Sequence, residues 1–160
     1  MRVEGSGSAL VVEVVDEAET DRLGAALAAV ALPGTVIGLD GPLGAGKTRL
    51  ARAVAEALGV DPRAIASPTF VLIHEYDGQM PIFHFDAYRL ETPSAFDNLG
   101  AAEYFEAGGL CLVEWADRVA DRLPADAWRI AIEPTGPTSR VYRIELPGAA
   151  TALLRGRLEG

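Results

Sequence analysis

The stretch Gly41-Pro42-Leu43-Gly44-Ala45-Gly46-Lys47-Thr48 has the residue types and spacing to hold a polyphosphate. It reads G-x-x-x-x-G-K-T, the phosphate-binding P-loop. Glycines allow backbone N–H groups to turn inward around phosphate oxygens. The N-terminus of a helix that follows adds partial positive charge, and Lys47 adds a full one. The Thr48 hydroxyl is suited to ligate Mg2+.

Hydrolysis asks for more: a second carboxylate on the Mg2+ side, a group to orient water, and charge for the transition state. Glu114 ends the apolar run Leu110-Cys111-Leu112-Val113. A carboxylate at the C-terminal end of a buried parallel strand points into the crevice that holds a nucleotide. A second constellation is His84-Phe85-Asp86-Ala87-Tyr88-Arg89-Leu90. Period-two alternation puts Ile82, His84 and Asp86 on one face of a strand. Asp86 can serve Mg2+ through a water or orient the attacking water, and His84 can reach the region of Asp86 or the nucleotide edge. The third is Ser67-Pro68-Thr69-Phe70, placed after the P-loop helix, where many P-loop proteins keep a switch loop. A plain Ser-Pro turn is its alternative reading. His74, His84 and Cys111 lack the close ligand spacing of a structural zinc site.

The elements that must position these residues are legible around them. Thr35–Leu39 reads as a buried strand, and Leu50, Val54 and Leu58 recur at helical spacing, with Gly59 at the helix end. Asp16-Glu17-Ala18-Glu19 resembles a capping box, so a first helix is expected from Glu17 to Val30. Phe70–Tyr76 and Met80–Phe85 read as two strands joined at Asp77-Gly78. Thr92-Pro93 marks the start of a short helix, and Ala101–Glu106 a second. Leu110–Val113 is a fully apolar strand, Ala116–Leu123 is helical, and Trp128–Ile132 and Val141–Leu146 are late strands. The expected fold class is α/β: a P-loop NTPase-like layered fold, a mainly parallel sheet flanked by helices, with added antiparallel strands. One P-loop domain over 1–160 is expected, with residues 1–9 a flexible lead-in.

Composition narrows the function. The chain has 160 residues, about half of them apolar, and a formal charge of −9. Its one lysine belongs to the P-loop. A strong, sequence-independent grip on nucleic acid needs clustered Lys and Arg, so direct, strong RNA or DNA binding by this chain alone is not expected, and in a nucleic-acid pathway another subunit would hold the nucleic acid. The single cysteine, Cys111, sits in an apolar run and reads as a buried, inert thiol. No apolar run reaches the length of a membrane span and no signal peptide opens the chain, so a cytoplasmic location away from membranes is expected.

Gly44-Ala45-Gly46-Lys47-Thr48, Ser67-Pro68-Thr69-Phe70, His84-Phe85-Asp86-Ala87-Tyr88-Arg89-Leu90 and Leu112-Val113-Glu114-Trp115, in that order, resemble the bacterial TsaE family. The resemblance spans about Asp16 to Leu146. It departs at Ser94 and Ala95, where the family usually has acidic residues, and at Ala116, where it has proline. The resemblance implies an Mg2+-dependent ATPase serving threonylcarbamoyladenosine modification of tRNA. It implies docking on two partner proteins, TsaD and TsaB, with ATP hydrolysis resetting the assembly and tRNA met only through the complex. It implies catalytic roles for Lys47, Asp86 and Glu114, and Mg2+ held by Thr48 and Glu114. The nucleotide-contacting set is then Thr20, Gly44, Ala45, Gly46, Lys47, Thr48, Arg49 and Arg140, with Thr20 and Arg140 matched to the family's leading Thr and late Arg. Two rivals stay open: a small-molecule P-loop kinase, although no arginine-rich lid segment is evident, and a nucleotide-gated module that hydrolyses nothing.

Overall fold

A computed structural model describes residues 1–65 and 72–160. The chain opens with a hairpin of β1 (Arg2–Ser6) and β2 (Ala9–Val14). These first residues do not form the flexible lead-in expected of them: they pair with β2 from Arg2↔Glu13 to Ser6↔Ala9. The signal was weak because β1 is an edge strand with almost no buried side chain, so alternation is not visible in it. Helix α1 (Glu17–Val30) starts where the capping pattern predicts. Asp16 accepts the Glu19 N–H at 2.8 Å, and Glu19 accepts the Val15 N–H at 2.8 Å.

β3 (Val36–Asp40) leads into the glycine loop, and α2 (Lys47–Ala57) leaves it. Gly46 caps α2 with φ 107°, a left-handed conformation that glycine adopts without strain. β4 (Ile73–Asp77) and β5 (Pro81–Asp86) form the expected hairpin, and Phe70 and Val71 of the expected first strand lie outside the described residues. α3 (Pro93–Asn98) is capped by Thr92, and α4 (Ala101–Phe105) follows it. Every residue of β6 (Leu110–Glu114) is buried, as a strand covered on both faces must be. Ala116–Arg122 is a 3-10 helix kinked at Val119. β7 (Trp128–Pro134) and β8 (Arg140–Glu145) pair antiparallel, and α5 (Gly148–Glu159) ends the chain.

The strands form one sheet in the order β1-β2-β8-β7-β3-β6-β5-β4. Its centre, β7-β3-β6-β5, is parallel, and antiparallel strands extend it on either side. Period two divides the core between the faces. Ile37, Leu39, Ile82, Leu110, Leu112 and Ile130 pack with α1, α2 and α5 residues such as Leu27, Leu50 and Leu154. Val36, Phe83, Phe85, Cys111 and Val113 pack with Phe96 and Ala101 of α3 and α4 on the other. Both α5 and the β1–β2 hairpin lie outside the elements read from the sequence. Among the described residues, no helix is long and apolar enough to cross a membrane.

β3, β6 and β5 end side by side. Asp86 sits opposite Glu114 in register, and Leu39 opposite Glu114 on the other side. The loop between β3 and α2 crosses this end of the sheet, where open α/β sheets hold their ligands.

Candidate phosphate-loop site

A cavity of about 410 Å³ opens over the strand ends, lined by Leu43, Gly44, Gly46, Lys47, Thr48, Asp86, Tyr88, Arg89, Glu114 and Trp115. Three segments far apart in sequence supply the lining: the glycine loop, the end of β5 and the end of β6. Glu114 lies at the centre, 4 % exposed. Thr48 Oγ1 donates to Glu114 Oε1 at 2.8 Å. The imidazole of His84 meets the other oxygen, Nε2 to Oε2, at 2.5 Å. Since a carboxylate only accepts, His84 Nε2–H is the donor. His84 is 1 % exposed, on the face of β5 that alternation assigns it, but its partner is Glu114 and not the Asp86 region.

Lys47 is 5 % exposed. Its ammonium donates to Gly41 O at 2.6 Å and Pro42 O at 3.0 Å, and lies 3.8 Å from the centre of the Trp115 ring. Carbonyls and an aromatic face both favour a cation there. Burial pushes the Lys47 ammonium below its ordinary value, against the pull of Glu114, Asp40, Asp117 and Asp86. A phosphate arriving in the cavity would find this charge already held inside the loop.

Asp86 lines the cavity, and its Oδ1 accepts the Tyr88 N–H at 2.9 Å. That turn brings Tyr88 against Trp115, ring centres 4.8 Å apart, with the Arg118 guanidinium 5.0 Å from the Tyr88 ring. The cavity mouth is therefore aromatic and cationic, with Leu43 83 % exposed at the loop tip.

Other residues expected at the nucleotide lie outside the lining of this cavity. Ala45 is fully buried behind the loop, and its carbonyl accepts Arg140 Nε at 2.7 Å. Arg140 also donates to Gly136 O and Ser139 O at 3.0 and 2.8 Å. It braces the loop from the β8 side and does not line the cavity. Thr20 lies on the buried face of α1 with its hydroxyl 3.3 Å from that of Tyr142, so it too is outside the lining. Arg49 follows Lys47 by two positions, which turns it to the far side of α2. There it pairs with Asp21 of α1 at 2.5 Å. Ser67-Pro68-Thr69-Phe70, the expected switch loop, lies outside the described residues. The role of His84 as partner of Glu114 was the main omission of the sequence reading. Half of its signal was present: alternation puts His84 on the face of β5 that it shares with Asp86, while nothing along the chain pairs that face with Glu114.

A strand, a glycine loop and a helix, set across the C-terminal ends of parallel strands, define a P-loop-like α/β protein. The model of the family described as "Threonylcarbamoyl adenosine biosynthesis protein TsaE" matches residues 14–142. A tRNA threonylcarbamoyladenosine biosynthesis protein TsaE of Bacillus subtilis (strain 168) is 44% identical over 127 residues, 79% of this chain and 78% of that protein. One from Treponema pallidum (strain Nichols) is 39% identical over 106 residues, 66% of this chain and 78% of that protein. The crystal structure of Bacillus subtilis YdiB superposes with a TM-score of 0.75 at 35% identity, covering 99% of this chain and 97% of that one. The chain belongs to the TsaE family, whose members take part in tRNA threonylcarbamoyladenosine biosynthesis.

Proposed function

We propose that the protein is an Mg2+-dependent ATPase subunit of the tRNA threonylcarbamoyladenosine machinery, working on a pair of partner proteins, TsaD and TsaB. The observation that carries this reading is the arrangement of Thr48, Glu114 and Lys47 under the loop. Thr48 and Glu114 meet at 2.8 Å at the floor of a cavity whose wall holds the buried ammonium of Lys47. A hydroxyl and a carboxylate are hard oxygen donors, the set Mg2+ takes, usually with several waters and a substrate phosphate. Thr48 and Glu114 would hold that ion, which supplies charge neutralisation to the transferring phosphoryl group.

The chain's own residues divide the remaining work. The N–H groups around Gly44 and Gly46, with Lys47, hold and neutralise the phosphates. His84 keeps Glu114 aimed at Thr48. Asp86, beside Glu114 in register, orients the attacking water. The charge of −9, with its one lysine buried in the loop, leaves tRNA binding to the partners.

The test is phosphate release from ATP by the protein alone and with TsaD–TsaB, alongside affinity for the pair with ATP, ADP or no nucleotide. A slow rate alone, a changed rate with the pair and nucleotide-dependent affinity are expected. Transfer of the phosphoryl group to a small acceptor would mark a kinase. Nucleotide-dependent docking with no release of phosphate would mark a binding module.

A further inference from the structure

Asp40 is the last residue of β3, and its backbone runs directly into Gly41 of the loop. Its carboxylate is not part of the cavity lining. Oδ1 accepts the Asp117 N–H at 2.8 Å, and Oδ2 accepts from Arg129 of β7 at 2.5 Å. The two side chains are 19% and 31% exposed, so solvent screens the pair only in part. Among the described residues, Arg129 Nε is buried with no hydrogen-bond partner, and Asp40 anchors this guanidinium through Nη2.

What Asp40 grips is a strained corner. Trp115 has φ 59° and ψ 42°, and it is the only non-glycine residue with positive φ among the described residues. An L side chain disfavours that conformation, and it persists only where the surroundings over-determine it. Three consecutive residues of β3 do so. Leu39 O accepts the Trp115 N–H at 2.9 Å. Gly38 leaves room for Ala116: a Cβ added there would stand 2.7 Å from the Ala116 Cβ. Asp40 takes the Asp117 N–H. Leu39 acts through its backbone and Gly38 through the lack of a side chain, so Asp40 is the residue of β3 that grips the corner with its side chain. The corner in turn directs the Trp115 ring onto Lys47 and follows Glu114 by one residue.

We propose that Asp40, braced by Arg129, is a positioning residue that ties the root of the phosphate loop to the Glu114–Trp115 corner. It holds the Trp115 ring against Lys47 and the Glu114 carboxylate in line with Thr48. Its consequence for turnover rests on the ATPase reading, whereas its consequence for the corner does not.

The experiment uses the full chain labelled with 5-fluorotryptophan. The sequence holds Trp115 and Trp128, so two fluorine resonances are expected, and Trp128→Phe assigns them. Asp40→Ala should displace or broaden the Trp115 resonance and, with TsaD–TsaB present, lower kcat by roughly tenfold, what one hydrogen bond to a charged group is worth. Asp40→Asn keeps an oxygen for the Asp117 N–H and should restore the resonance and most of kcat. Arg129→Met leaves Asp40 without its brace and should displace the same resonance by less, which keeps the test open if Asp40→Ala does not fold. An unmoved Trp115 resonance in a folded Asp40→Ala or Arg129→Met chain overturns the proposal. So does an Asp40→Asn chain as displaced as Asp40→Ala. If the wild-type protein hydrolyses no ATP with its partners, the ATPase reading fails while the fluorine resonances still decide the role of Asp40.

Discussion

His84 and Glu114 stand on neighbouring parallel strands, offset diagonally on one face, with Nε2 and Oε2 2.5 Å apart. Their side chains are only 2% and 6% exposed, so each is the other's replacement for water. With Thr48 on its second oxygen, the Glu114 carboxylate is held at both ends. A carboxylate fixed in this way is pre-oriented toward the cavity under the glycine loop before anything enters it.

His84→Ala should therefore do two things. It strands a buried carboxylate oxygen, and removing one partner of a buried pair typically costs about 3–5 kcal/mol, to be read from urea unfolding. It should also lower kcat more than nucleotide affinity, because the loop amides remain. His84→Gln, whose amide can donate to the same oxygen, should recover part of both. Stability and turnover unchanged in His84→Ala would show that the pair does not position Glu114.

Lys47→Ala removes the one ammonium held inside the loop. Nucleotide affinity should fall by roughly 10- to 100-fold, the range for losing a hydrogen bond from a charged donor, and ATP turnover should be lost. Titration calorimetry and phosphate release measure the two. Wild-type behaviour in both would remove the cavity from the phosphate chemistry.

Glu114→Gln and Asp86→Asn should separate binding from chemistry. Both variants keep the glycine loop and Lys47, so nucleotide should still bind. Turnover should drop by roughly 10²–10⁴-fold for Asp86→Asn if it orients water as a general base does. Glu114→Gln should also shift the Mg2+ concentration needed for half-maximal rate, and Asp86→Asn should shift it less. Equal shifts would mean that Asp86 too acts on the metal side.

Cys111 is 1% exposed, and burial pushes its thiol from the ordinary 9.0 up to about 12. The neutral thiol is the form the fold favours. Its contribution to stability is complete below the unfolded value and declines as pH rises from about 9 toward 12, because only the unfolded chain ionises there. At about pH 8 the folded protein should resist iodoacetamide, and alkylation should track urea unfolding. Fast modification of the folded protein would show the thiol to be accessible.

What the chain alone determines is local. The phosphate loop is legible because its chemistry depends on residues within one turn of backbone, and G-x-x-x-x-G-K-T between an apolar strand and an amphipathic helix has few other uses. The caps at Asp16 and Thr92 are legible for the same reason. Alternation placed His84 and Asp86 on one face, and the apolar run before Glu114 put that carboxylate at a strand end. Tertiary structure decided which of these meet. His84 could be matched to Glu114 only once β5 was known to lie beside β6, since period two assigns a face and not a neighbour. Arg140 reaches Ala45 across the sheet through β8, a position no spacing along the chain encodes. β1 and α5 escaped notice because an exposed edge strand and a weakly amphipathic helix carry little periodic signal. The left-handed corner at Trp115 was invisible for a different reason. Tryptophan has no preference for it, and the contacts that hold it there come from Gly38, Leu39 and Asp40 on the neighbouring strand.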